Sequence, residues 1–578
     1  MTSARLKWLP HLENAVPTKG YGNRLSMYLI ALEAWRRGLK VKFYTIDNPD
    51  NKMLIRYSLA NEKNVYHFES SRGEKLTRYA YDVCENKDDT KKILAKAGIP
   101  VPEGKRFEEN ATEEEIISYA NKLGFPIVIK PISENAGKGV FSNINTESEL
   151  RASVEYVRNE LHYKDIIIEK HIDGVEHRIF IVDGKVLGVV NRIPANIIGD
   201  GKNTVEQLMK QKNRSKKFNP NLSSKIIELD KEVIDSIQQS GYRLDSIPEK
   251  GRQIFLRSKS NVSMGGDPID VTDQLTDELK ELATKAANSI PGLDICGLDM
   301  IIDKEKNTGV IIEINTKPMI GLHVFPVKGR PRDVVSPILD YYFPETINSN
   351  KTNLYFDFDA ALAPLRAKLV REIEIAPPPT LENIYAKCYT ISGPSVDSDY
   401  RSWIRLEALK NNLHGYIEEL NDQKVQIIVA SENEKKVQGF KTVCMEGLRE
   451  TENHDVIEKE YTKPVKIGFE VYSIPRLWKT NQKLRKNLDD EKLKGKKLKR
   501  NAEKLKRDAE KLKLEKEKQT LRLNRKIKRK EQKIKQLKKE KSNIIIEKDK
   551  IKKEYSEVLS SQSWKLTKPL RKINSLFK

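Results

Sequence analysis

Two apolar runs, "ICGLDMII" and "VIIEIN", flank the turn-forming "DKEKNTG", and such a pattern folds back on itself as an antiparallel hairpin. Side chains alternate along a strand, so Val310, Ile312 and Ile314 are expected in a core, with Glu313 and Asn315 on the opposite face. If the chain reverses near Lys306, Asp299 lies opposite Glu313 on that same face. Three oxygen-bearing groups on a rigid hairpin suit Mg²⁺, which takes a few carboxylate or amide oxygens and completes its shell with water and phosphate. A hairpin with a merely wetted outer face is the alternative.

With 578 residues the chain is too long for one core, and at about 150 residues per domain its length allows roughly four. The formal charge of +22 resembles that of a nucleic-acid or membrane binder until it is located. Residues 473–578 hold 38 Lys and Arg against 14 Asp and Glu, a net of +24, which leaves −2 for everything before them. Between Lys479 and Glu554 there are no aromatics for base stacking and no groove-reading motif, so docking on an anionic surface or a solvated charged helix are the readings for this segment. Cys84, Cys296, Cys388 and Cys444 form no CxxC or Cys/His cluster, which argues against a zinc site or a disulfide framework and fits a reducing compartment. "MTSARLKWLPHLENAVPTKG" has no apolar core of a signal peptide, and "MYLIALEAW" is too short to span a bilayer. The expectation is a cytoplasmic protein without a transmembrane segment.

Periodicity and punctuation divide the chain. Residues 1–105 alternate helical and strand patterns, as in "NRLSMYLIALEAWRRG", "KVKFYTID" and "DDTKKILAKAGIPVP", and are expected to form a small α/β domain. Residues 106–348 read as short strands and hairpins between glycine turns, with 213–255 a polar helical insertion or connection. Residues 349–379, containing "EIAPPPT", are expected to be a linker, and 380–472 a compact β/α module. In 473–560, Leu498, Ala502, Leu505, Ala509 and Leu512, then Leu523, Ile527, Ile534, Leu537, Ile544, Ile551, Tyr555 and Val558 keep a near-heptad phase. Lysines at 530, 541 and 548 and Gly495 weaken that seam, so a homo-oligomeric coiled coil and a lone charged helix both stand. Residues 561–578 form a basic tail.

A metal hairpin serves best beside a phosphate binder, and "FPIVIKPISENAGKGV" supplies one. A strand delivers Lys130 as a point cation, and Gly137, Lys138 and Gly139 follow in a loop whose glycines let backbone amides approach phosphate. The spacing matches neither a Walker nor a Rossmann motif.

Six motifs in order carry a resemblance: "NKDDTKKILAKAGIPVP", "PIVIKPISENAGKGV", "IIEKHIDGVEHRIFIVDGKVLGVVNRIPANIIGDGKNTVEQL", "LRSKSNVSMGGDPIDVT", "ICGLDMII" and "IIEINTKPMIGLHVFP". Over about residues 10–348 they resemble ATP-grasp carboxylate–amine ligases of the cyanophycin-synthetase and glutathione-synthesising kind. The resemblance implies an α+β chain in which an N-terminal α/β unit precedes an ATP-grasp fold that holds ATP between two sheets. It implies that Lys87 and Lys130 hold phosphates, that Glu169, Lys170, His171 and Ile172 meet the adenine edge, and that Glu176 grips ribose. Arg192, Arg257, Asn261 and the turn Ser263 to Gly266 are similar to groups near the terminal phosphate and acyl substrate, and His323 falls near the substrate end or is a hydrogen-bonded loop residue. Asp299, Glu313 and Asn315 match ligands for Mg²⁺ or Mn²⁺. The implied reaction joins a small-molecule or peptide carboxylate to an amine. A nucleotide-gated scaffold that no longer ligates is the competing class, although it would have no need of these lysines and metal ligands.

"CYTISGPSVDSDYRSWIRLEALKNNLHGYIEELNDQKVQIIVASENEKKVQGFKTVC" resembles an acylphosphatase, a ferredoxin-like β/α sandwich, and places Arg401 at the catalytic arginine. Asp397 and Asp399 stand where the family has loop glycines, and Glu419 where it has an asparagine. These departures favour a degenerate module over a hydrolase. The terminal "SSQSWKLTKPLRKINSLFK" resembles short termini of bacterial glycosyltransferases and other surface-polymer enzymes, a hint of cell-envelope chemistry.

Overall fold

The computed structural model describes residues 8–47, 53–132, 139–382, 384–393, 396–421, 423–448 and 454–472, and a set of positions between 530 and 557. Gly137, Lys138, most of the heptad seam and the tail 561–578 lie outside the described residues.

The helix Leu25–Arg36 is buried along its whole length, as expected of a helix that is apolar on nearly every side. It packs on a five-stranded sheet ordered Glu372–Ile375, Lys40–Asp47, Met53–Ala60, Val65–Glu69 and Arg72–Gly73. Trp35 anchors it by donating from Nε1 to the Ala376 carbonyl at 2.7 Å. The first strand of that sheet corrects the expected linker over 349–379. Those residues include the helix Phe358–Arg366 and the strand Glu372–Ile375, whose Ile373 and Ile375 pair with Phe43 and Val41. Prolines 377–379 follow the strand instead of preceding a separate body.

Two further antiparallel sheets carry the central region. One runs Gly104–Phe107, Ile166–Lys170, Ile127–Pro131, Phe141–Ile144, with the helices Glu113–Leu123 and Glu147–Glu155 contributing to its core. The other runs Asp267–Asp270, Lys185–Ile193, Val175–Val182, Ile295–Asp303, Thr308–Asn315. One face of this second sheet, through Ile179, Ile181, Val189, Leu298, Met300, Ile311 and Ile314, packs on Leu279, Ala283 and Ala286 of the helix Asp277–Asn288. The segment 196–255 builds its own small core from the paired strands Asn196–Ile198 and Gln253–Phe255 and the helices Val205–Lys216 and Lys231–Gln239.

Residues 385–472 form a five-stranded sheet ordered Asp455–Glu460, Tyr385–Ser392, Lys424–Ser431, His414–Asn421, Phe469–Tyr472. The helices Ser398–Lys410 and Glu434–Glu446 bury Tyr400, Ile404, Val437 and Phe440 in its core. The four cysteines are buried and unpaired. The described positions from 530 to 557 are helical and exposed, Ile534, Leu537 and Ile551 among them. Among the described residues no helix is long and apolar enough to cross a membrane.

Candidate active site

The hairpin places Asp299 directly opposite Glu313, as the turn and alternation predict. It does so by a device that alternation does not encode. Met300 pairs with Ile311 while Asp299 pairs with Glu313, so Ile312 is an extra residue and forms a β-bulge. The expected core set is corrected accordingly: Ile311 and Ile314 are buried, whereas Val310, Ile312 and Glu313 are half-buried. Without the bulge Asp299 would face Ile312.

The next strand contributes a residue that the sequence reading missed. Arg178 is the register partner of Asp299, extending the row Glu313, Asp299, Arg178, Val190, Asp270 across the sheet. Its Nε and Nη2 donate to the two Asp299 oxygens at 2.5 and 2.9 Å. Arg192 reaches the same carboxylate at 3.1 Å and also pairs with Glu176. The only signal for Arg178 in the sequence is a charge directly before the apolar run "IFIV". Gly297 makes room for it, since a Cβ there would stand 2.6 Å from Arg178 Nη1 and 2.8 Å from Pro318 Cβ. Burial pushes the Asp299 carboxyl up, but the two guanidiniums outweigh burial and hold it below its ordinary value.

Asn315 lies two residues beyond Glu313, so the two side chains project to one side. Its Nδ2 is buried with no hydrogen-bond partner among the described residues. Turned over, the same carboxamide presents its oxygen. Two carboxylates and one amide oxygen on adjacent strands are a donor set for a hard divalent cation, so the residues fit the expected metal. No group of three His, Cys, Asp or Glu among the described residues does so, because the third donor here is an amide.

The four-stranded sheet collects a second charge cluster. Glu169, almost fully buried, accepts from Lys130 at 2.7 Å and Lys91 at 2.6 Å. Burial pushes its carboxyl up, yet Lys130 and Lys91 together bring it below the ordinary value. Lys91, also missed, lies one turn after Lys87 on the helix Lys87–Lys96, and that i,i+4 spacing is the signal that could have found it. Lys87 is half-buried at the start of that helix. Gly139 has φ +72°, a conformation that favours glycine. Lys170 ties its ammonium to the Gly124 and Phe125 carbonyls at 2.9 and 3.3 Å, and its backbone amide donates to Glu103. His171 donates its amide to Pro126 and stands 3.5 Å from Asp173, and Ile172 follows half-buried.

Other expected residues lie elsewhere. Arg257 is buried and paired with Asp230 at 2.5 Å and with Glu232. Asn261 caps a short turn by accepting from the Ser263 amide at 2.9 Å, and that turn leads to Gly266, packed on the Ile193 carbonyl next to Arg192. His323 is fully buried against Phe180, and neither ring nitrogen has a partner among the described residues. Arg401 belongs to the C-terminal sheet module, where its guanidinium is 3.7 Å from the buried Glu419. Asp397 there accepts from the Asp399 and Tyr400 amides, both at 3.0 Å, occupying the helix N-terminus with a carboxylate.

Comparison with known proteins places these features. Residues 110–247 match the ATP-grasp domain of prokaryotic glutathione synthetase, 252–325 the RimK-like ATP-grasp domain, and 389–471 acylphosphatase. Cyanophycin synthetase of Synechocystis sp. is 38% identical over 267 residues, 45% of this chain and 30% of that protein. The glutathione biosynthesis bifunctional protein of Clostridium perfringens is 34% identical over 330 residues, 55% of this chain and 41% of that one. A crystal structure of a bifunctional glutathione synthetase from Pasteurella multocida is 27% identical, covers 52% of this chain and 42% of its own, and gives a TM-score of 0.40. The chain thus spans less than half the length of these relatives. It carries an ATP-grasp fold and an acylphosphatase domain.

Proposed function

We propose that this chain is an ATP-dependent carboxylate–amine ligase. The observation that carries the reading is the row Glu313, Asp299, Arg178 with Arg192 and Asn315 alongside. It joins metal-type oxygens to fixed guanidiniums on one sheet face of an ATP-grasp domain. In this reading Lys87, Lys130 and Gly139 hold phosphates, with Lys91 joining Lys130 through Glu169. Backbone groups of Glu169, Lys170, His171 and Ile172 meet adenine, and Glu176 meets ribose. Asp299, Glu313 and Asn315 would hold Mg²⁺ or Mn²⁺, which would supply positive charge to offset that of the phosphates.

The substrate carboxylate attacks the γ-phosphorus, the bond to the β-bridging oxygen breaks, and ADP leaves. An amine then attacks the acyl carbon, phosphate departs, and an amide remains once the nitrogen loses a proton. Carboxylate and triphosphate repel each other, so the protein's task is alignment and charge neutralisation without a side-chain nucleophile. Arg192 and Arg178 supply that charge where the terminal phosphate would lie, and Arg257 and the Asn261 turn border the acyl side.

The acylphosphatase domain reads as degenerate, because Asp397 fills its amide cradle and Glu419 stands against Arg401. A working hydrolase there would also destroy the ligase's intermediate. The substrates are small molecules or peptides, the heptad segment brings copies of the chain together, and the tail meets an anionic surface. The dependence on ATP and the four free thiols suit a cytoplasmic enzyme. ATP consumption across a carboxylate and amine panel, with mass detection of the amide, tests the assignment. Consumption that depends on both partners supports it, and none with any pair counts against it.

A further inference from the structure

Most buried cations among the described residues are paired with carboxylates, Arg36 being bonded to the Leu354 and His11 carbonyls instead. Lys91 and Lys130 share Glu169, Lys212 and Lys216 share Asp267, and Lys466 has Asp357 and Glu470. Lys225 differs: it is only 6% exposed, and no carboxylate among the described residues lies within ion-pair distance of it. Its ammonium donates to Asn221 Oδ1 at 2.7 Å and touches Met319 Sδ at 3.5 Å. An ammonium has three donors, and a thioether is a weak acceptor. On the same carboxamide, Asn221 Nδ2 is buried without a partner among the described residues, in a residue only 2% exposed. Unfilled donors from an ammonium and an amide therefore lie side by side. Asn221 is held there by close packing, since a Cβ on Gly321 would stand 2.8 Å from its Oδ1.

The location is informative. Leu222, whose carbonyl accepts from the Lys225 amide, packs on Val190, the register partner of Arg178. Lys216 bonds the Gly266 carbonyl, beyond the Asn261 turn. Met319 follows Asn315 by four residues and is 39% exposed while its sulfur touches the ammonium, so a flexible thioether is the group that would move for a ligand to reach it.

We propose that Lys225 and Asn221 form a carboxylate-binding site of the substrate pocket, in which the ammonium and the carboxamide N–H together hold a carboxylate of the acid or the amine partner. Lys216 adds positive charge behind them. Burial, with the neighbouring Lys216 charge, brings the Lys225 ammonium down to about 8, as expected for a cation awaiting its counter-ion. Assignment of the pocket to substrate rests on the ligase reading, whereas carboxylate binding does not.

The test is thermal unfolding of the full chain with glutarate, 4-aminobutyrate or chloride at matched ionic strength, for the parent, Lys225→Met and Asn221→Asp. Glutarate or 4-aminobutyrate should raise the parent's Tm above the chloride control, the first pointing to the acid partner and the second to the amine partner. Lys225→Met removes an uncompensated buried charge and Asn221→Asp supplies the missing anion. Both should therefore melt at or above the parent without ligand and lose the carboxylate response. A parent indifferent to both carboxylates, or variants that melt lower and still respond, would overturn the proposal. Mg·ATP stabilisation measured in parallel reports on the ligase reading alone, because failure there with an intact carboxylate shift removes the reaction and leaves the site.

Discussion

Replacing Asp299 by Asn leaves shape almost unchanged and strips one charge from the centre of the row. The carboxylate is 5% exposed and takes bonds from Arg178 at 2.5 and 2.9 Å and from Arg192 at 3.1 Å. The asparagine would leave two largely buried guanidiniums facing a neutral amide, and breaking a buried pair in this way costs about 3–5 kcal/mol. Urea unfolding followed by tryptophan fluorescence and circular dichroism measures the loss. The pH dependence gives a second reading. Pairing holds the folded carboxyl below its ordinary value, so its stabilisation is present above the unfolded pKa of about 4 and is lost as pH falls through the lower folded value. The variant should therefore be weakened most at neutral pH and approach the parent in acid. It should also lose stabilisation by Mg·ATP, having lost one of three candidate oxygen donors. A variant within about 0.5 kcal/mol of the parent at pH 7, the size of an ordinary surface change, would refute the charge argument. Undiminished Mg·ATP stabilisation would refute the metal assignment.

Glu313→Gln and Lys130→Ala should each lower ATP-dependent amide formation by at least about 100-fold with circular dichroism unchanged, since Lys91 still pairs with Glu169 in the second; near-parental rates in both would count heavily against the assignment. His323→Phe should be neutral or stabilising at pH 8 and more clearly stabilising at pH 5. Burial drives the folded imidazole down to about 3, so between about 6.5 and that value the unfolded chain binds the extra proton and parental stability falls with pH by up to about 1.4 kcal/mol per pH unit; equal acid sensitivity in both proteins would contradict this. The parent should release no phosphate from benzoyl phosphate above the buffer rate, and Asp397→Gly, which vacates the two amides at a cost of a few tenths of a kcal/mol, should gain affinity for phosphate in calorimetry. Gly297→Ala should destabilise by about 1–3 kcal/mol through overpacking against Arg178 and Pro318, and a urea midpoint equal to the parent's would contradict this.

Local chemistry let the sequence by itself determine the hairpin, the strand bearing Lys130 and the helix beginning at Lys87, because turns and alternation act over a few residues. The bulge at Ile312, the approach of Arg178, the sharing of Glu169 by Lys91 and the recruitment of Glu372–Ile375 into the N-terminal sheet were decided only by tertiary structure. Each depends on which strand or helix comes alongside from a distant part of the chain, and burial of whole faces settles that choice, leaving little trace in local spacing. The same holds for Lys225, an ordinary lysine in a polar segment until folding takes it out of water without a carboxylate beside it.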